Sequence, residues 1–236
     1  MFKKVFLILM VFCLGFSSVS AKQKTPETTD FQPDVIIDET EANPLFPAKY
    51  TPEYIKEIKK LYRKSAKEDV FIVALDILQG TIGDYSQKAI LGNNLTSRPV
   101  SILFKDLKAV NPDYESYDAV GWKQGRKLYI YVNEKHKDAP ATAIAALLAH
   151  EALHQDEYNS LAEETYAWTM EAAVWTEMTE LFADYEIPAS SLVQRENTLK
   201  KMFKQGNYTN KYIKKAVYSN DAYKELPEIS PGFEKL

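Results

Sequence analysis

The residues best suited to chemistry lie in the stretch "AHEALHQDEYNSLAEETYAW", residues 149–168. It holds two of the chain's three histidines, His150 and His154, with Glu151 beside the first. Together they spell H-E-x-x-H, a pattern that carries a mechanism when it falls on a helix. Residues four apart lie on one helical face about one turn apart, so two imidazoles so placed can share one zinc ion. Glu151 then lies about 100° round from His150, close enough to take a proton from water activated at the metal without being a ligand.

A catalytic zinc needs a third protein ligand and an open fourth position. The longer pattern with a third histidine is excluded, because Glu157 stands where its glycine belongs and Ser160 where its histidine belongs. The remaining histidine, His136, lies upstream between predicted elements. A carboxylate is therefore expected, and "SLAEETYAW" offers Glu163 and Glu164. Ser160 and Glu163 fit the S-x-x-E capping box, which would occupy Glu163 at a helix start. On that argument Glu164 is the preferred ligand and Glu163 the alternative. Asp156 and Glu157 follow His154 too closely and read as helix-end or loop residues. Glu171 shares the face of Glu164 two turns on, where it could orient a zinc-bound imidazole or simply be a solvated or ion-paired side chain. Tyr129, Tyr131, Tyr158, His136 and the C-terminal tyrosines are all possible donors to a developing oxyanion.

These residues need elements to position them. Thr51-Pro52 is a helix start, followed by Ile55, Ile58, Leu61 and Tyr62 at helical spacing. Phe71, Ala74, Leu75 and Leu78 form the stripe of a second helix that stops at Gly80, and a short helical piece spans Ser86 to Leu91. "PVSILF" reads as a strand, and "YDAVGW" and "KLYIYVNE" read as two arms of a hairpin around Gly125. An alanine-rich helix with Pro140 in its first turn leads into the motif. A long helix over Leu161–Phe182 and two more, near Ser191–Lys204 and Asn210–Leu226, complete the chain. The expected class is α+β, with a small antiparallel sheet.

Ahead of these elements, "MFKK", "VFLILMVFCLGF" and "SSVSA" read as the three regions of an export leader cleaved after Ala21. A retained N-terminal anchor is the alternative. A lipoprotein is disfavoured because Phe12 precedes Cys13 inside the apolar run. Cys13 is the only cysteine, so cleavage would leave no thiol, and any metal would rest on His, Asp or Glu. Loss of Lys3 and Lys4 would leave 27 basic against 33 acidic side chains. With no concentrated basic stripe, nucleic acid is not an expected partner. Residues 22–50, with four prolines, read as an extended linker or strap in which "DVIID" could dock as a strand. The ordered domain is expected over 51–236.

The run "ALLAHEALH" followed by "SLAEETYAW" resembles the zincin metallopeptidases of the gluzincin type. In that family a helix bearing H-E-x-x-H is followed by one bearing a glutamate ligand. The resemblance covers roughly Asp118 to Trp175 and departs from thermolysin-like enzymes in the short separation of His154 from Glu164. It implies a zincin-like fold in which the sheet packs on the motif helix and the glutamate helix. It also implies zinc held by His150, His154 and Glu164, Glu151 as general base, and a peptide or protein substrate paired along "KLYIYVNE" as the cleft edge. The function expected is an exported, periplasmic or secreted zinc peptidase that is not inserted in a membrane after cleavage. A binding or scaffold protein of the cell envelope on the same fold is the rival reading, and hydrolysis of an amide in a cell-wall peptide is a third.

Overall fold

The structure, a computed structural model, describes residues 43–154 and 158–231. The expected leader, the "DVIID" run, Asp156 and Glu157 lie outside the described residues. Eight α-helices and one three-stranded sheet are found among them, an α+β architecture. The helices are α1 (Pro52–Tyr62), α2 (Asp69–Leu78), α3 (Asp84–Ile90), α4 (Leu107–Val110), α5 (Ala141–Glu151), α6 (Leu161–Leu181), α7 (Ser191–Gln205) and α8 (Lys211–Tyr218). The strands are β1 (Val100–Lys105), β2 (Ala119–Gln124) and β3 (Lys127–Asn133).

Helix α1 starts as its sequence indicates: the Thr51 hydroxyl accepts from Tyr54 N–H and Pro52 opens the first turn. Ile55, Ile58 and Tyr62 are buried, whereas Leu61 is exposed. At 100° per residue, Tyr62 returns to the azimuth of Ile55 and Leu61 falls well off it. Helix α2 is buried from Val70 to Leu78, on every face rather than along one stripe. Such a helix is an interior element, and it packs on α5, which is itself buried throughout. The alanines of α5 are what allow α2 and α6 to come close around it.

The sheet is mixed rather than antiparallel. Its order is β1-β3-β2, with β3 parallel to β1 and antiparallel to β2. Gly125, at φ +57°, turns β2 into β3. The excursion between β1 and β2, α4 followed by a 3-10 turn at Pro112–Tyr114, stays short, so β2 runs back against β1. Strand β3 then enters between them. This corrects the edge assignment: "KLYIYVNE" is the central strand, and among the described strands β2 is the edge beside the motif helix.

The C-terminal helix stops at Tyr218 instead of reaching Leu226. Asn220 caps a 3-10 turn at Asp221–Tyr223, and the chain continues as a strap to Pro231. At the other end, residues 43–50 lie on the core. Phe46 and Tyr50 are buried, and the Leu45 carbonyl accepts from Ala141 N–H at 2.9 Å, at the start of α5. Among the described residues no helix is long and apolar enough to cross a membrane.

Candidate metal centre

His150 stands in the last turn of α5, and the helix ends at Glu151. Two tight i→i+3 turns follow, with Leu153 N–H on the His150 carbonyl at 3.0 Å and His154 N–H on that of Glu151 at 3.3 Å. His154 is thus just beyond the helix, not within it. Its side chain still turns back towards His150, and the two Nε2 atoms face each other at 3.2 Å.

Carboxylates hold the other nitrogen of each ring. His150 Nδ1 meets Glu171 Oε2 at 2.9 Å, and His154 Nδ1 meets Glu163 Oε1 at 2.9 Å. Nδ1 of each ring is assigned as the protonated nitrogen, because only a donor satisfies a carboxylate there. Each Nε2 is then an acceptor. Glu164 supplies a third acceptor group, with Oε2 3.7 Å from His150 Nε2 and Oε1 3.7 Å from His154 Nε2. Its Oε1 takes the Asn159 side-chain N–H at 2.6 Å, while its Oε2 is buried with no hydrogen-bond partner among the described residues.

With both rings neutral, two Nε2 acceptors and a carboxylate converge, an arrangement that added positive charge, whether a shared proton or a cation, relieves. His150, His154 and Glu164 could hold a metal ion, their ligand atoms all lying within 4.8 Å of one another. Ligands about 2.0–2.2 Å from a tetrahedral zinc stand roughly 3.3–3.6 Å apart, close to the separations observed. The field points the same way. Burial alone would lower the His154 pKa, but the Glu163 hydrogen bond and the charges of Glu164 and Glu151 hold it up at about 9. Burial raises the Glu151 carboxyl above its ordinary range, against the lowering pull of both imidazoles.

Glu163 does not close the capping box. Ser160 caps α6 by accepting Glu163 N–H at 3.1 Å, but the Ser160 N–H goes to Asn159 Oδ1 at 2.7 Å. The Glu163 side chain, freed from that return bond, serves His154 instead. Glu171 does more than face the centre. Arg195 grips both of its oxygens, with Nη2 on Oε2 at 3.0 Å and Nη1 on Oε1. Burial would raise the Glu171 carboxyl; the Arg195 charge and the His150 contacts pull it well below the carboxylate range. Arg195 Nε continues to Asp118 Oδ2 at 3.1 Å, and Asp118 Oδ1 to His136 Nε2 at 2.7 Å. His136 is buried behind the centre, at the far end of this relay.

The centre opens on a groove of about 730 Å³ whose lining includes His150, Glu151, His154 and Glu164. Val120, Gly121 and Trp122 of β2 form part of its wall. Among the tyrosines singled out in the sequence, Tyr129 and Tyr158 line the groove, as does Tyr223 from the C-terminal strap. Tyr131 and His136 are not part of that lining. Asn159, Arg195, Asp118 and Ser230 complete the site and carry no motif. Only their type, polar groups able to satisfy a carboxylate, could have marked them.

The described residues thus form an α+β unit with a His₂-carboxylate group able to hold a metal. Comparison with known proteins finds no matching family model, no matching curated protein and no matching solved structure.

Proposed function

We propose that the protein is an exported zinc-dependent peptidase of the gluzincin kind. The observation that carries this reading is the convergence of His150 Nε2, His154 Nε2 and Glu164 on one point, with buried Glu151 beside it on the groove. Two nitrogens and a carboxylate are a donor set that suits zinc, whereas calcium and magnesium favour oxygen alone. A purely structural site would have no use for Glu151.

Bound zinc would supply Lewis acidity towards a carbonyl and a lowered pKa for water. Glu151 takes the proton of the attacking water and delivers it to the leaving amine. Its burial suits that work, since a raised carboxyl pKa narrows the gap to the proton it must accept. Among the described residues no strand pairs with the outer edge of β2, which lies along the groove, and an extended peptide can add there as a strand. The leader-like N-terminus supports export, and a metal site built without thiols suits an oxidising compartment.

The test is metal analysis of the protein together with cleavage of a peptide library, with Glu151→Gln as control. About one zinc per chain and library cleavage are expected. Glu151→Gln keeps the zinc and loses about 10²–10⁴-fold in turnover. Zinc bound with no cleavage of any peptide would favour the envelope-binding alternative. Equal turnover by both forms would remove Glu151 as the base.

A further inference from the structure

The strap that follows α8 has no counterpart in the motif, yet it reaches the metal centre from behind. Its backbone docks on the start of α6: Leu161 N–H donates to the Pro227 carbonyl at 2.9 Å and Ala162 N–H to that of Glu228 at 3.0 Å. These are amides of the first helical turn, which have no partner within the helix. The docking places Ser230, only 3 % exposed, directly behind Glu163.

There the hydrogen bonds close into a ring. Glu163 N–H donates to Ser160 Oγ at 3.1 Å, Ser160 and Ser230 share a contact of 3.0 Å, and Ser230 Oγ donates to Glu163 Oε2 at 2.9 Å. Since the Ser230 proton goes to the carboxylate, Ser160 is the donor between the two hydroxyls. The ring leaves Glu163 Oε1 aimed at His154 Nδ1. A second strap residue sits by the neighbouring carboxylate: Tyr223 shares the groove with Glu164, and its hydroxyl accepts Trp168 Nε1–H at 3.3 Å. Glu163 and Glu164 are adjacent in sequence and serve different jobs, so something must hold each in its own direction.

We infer that the C-terminal strap is a working part of the metal centre and that Ser230 is a positioning residue, holding Glu163 so that it fixes the ring of His154. The inference rests on the metal-site reading above and deepens it. Ser230 touches neither metal nor substrate and acts through Glu163 alone. Metal binding and docking of the strap are then coupled, and coupling is reciprocal: each strengthens the other.

Ser230→Ala and Ser230→Thr in the full chain test this. Ser230→Ala is expected to weaken zinc binding about 10-fold or more, the range of lost outer support, and Ser230→Thr, which keeps the hydroxyl, to restore most of it. The visible spectrum of the cobalt(II)-loaded protein reports ligand geometry; it should shift in Ser230→Ala and return in Ser230→Thr. In wild type, zinc should slow hydrogen exchange at the Leu161 and Ala162 amides. The downfield Nδ1–H resonance of His154, read without metal, should be lost or displaced in Ser230→Ala. An alanine variant with wild-type zinc affinity, cobalt spectrum and His154 resonance would overturn the inference. Failure of wild type itself to bind zinc or cobalt would sink the metal reading instead, while the His154 resonance would still decide whether Ser230 positions Glu163.

Discussion

Two buried carboxylates in this molecule meet opposite surroundings. Asp76, on α2, is enclosed by donors: Tyr50 and Tyr54 hydroxyls donate to Oδ2 at 3.1 and 3.3 Å, and Tyr62 donates to Oδ1 at 3.0 Å. Glu164, on α6, is short of donors: Asn159 donates to Oε1 at 2.6 Å and the Tyr223 hydroxyl lies beside the carboxylate, but two imidazole nitrogens stand 3.7 Å away and Oε2 has no hydrogen-bond partner among the described residues. Burial, together with the Asp76 charge and hydrogen bonds, raises the pKa of Tyr50 and Tyr62, so these phenols stay protonated donors. Both carboxylates are nearly inaccessible, so burial does not separate them. The balance of donors to acceptors does. A carboxylate whose donors are complete joins elements together, here residues 43–50 and α1 to α2. One whose donors are incomplete, beside two imidazole nitrogens, is a place where positive charge is favoured.

The widest separation between the two regions should appear on removing their carboxylate charge. Glu164→Gln is expected to abolish stoichiometric zinc binding and leave the unfolding midpoint of the metal-free protein close to wild type. Metal titration and chemical denaturation check both halves, and retained zinc would return the ligand role to Glu163. Asp76→Asn should do the reverse. It should cost about 2–3 kcal/mol of stability, since hydrogen bonds to a charged acceptor are lost, while the zinc affinity of the folded protein is unchanged. A smaller loss in denaturant titrations would mean that the three phenols re-pair without the charge.

Outer support ranks next. Glu171→Gln keeps the shape of the side chain but breaks the ion pair with Arg195 and weakens the hold on His150. It should lower zinc affinity about 10–100-fold, measured by competition with a chelator. Arg195→Lys should follow in the same direction, because a lysine cannot grip both oxygens. The smallest effect is a cap remote from both regions. Ser190 accepts Val193 N–H at the start of α7, so Ser190→Ala should cost about 1 kcal/mol in thermal unfolding and leave metal binding untouched. A metal effect there would show that α7, through Arg195, transmits its position to the centre.

Local patterns were legible wherever one stretch of chain settles its own structure. The caps at Thr51 and Ser160, the hairpin around Gly125 and the pairing of His150 with His154 all depend on neighbours within a few residues. The preference for Glu164 as the facing carboxylate followed from Ser160 at the cap, although half of the supporting argument was mistaken. The box does not close, and Glu163 is turned away by His154 and Ser230 instead. The true end of the motif helix at Glu151 was also hidden, since a tight turn and an α-helical turn look alike in sequence.

By itself, the sequence determined the chemical inventory and its short-range spacing: His150, Glu151, His154, Glu163 and Glu164, without a thiol in the described chain, on or next to segments that fold as helices. Only the tertiary structure decided how acceptors and donors are apportioned. It set β3 between β1 and β2, which leaves β2 at the edge among the described strands. It brought Arg195 from α7 to Glu171, and Ser230 from the strap to Glu163. Spacing along a helix is set by bonds every few residues. Which carboxylate is neutralised and which is left open depends on groups 24 to 67 positions away, whose approach is fixed by core packing.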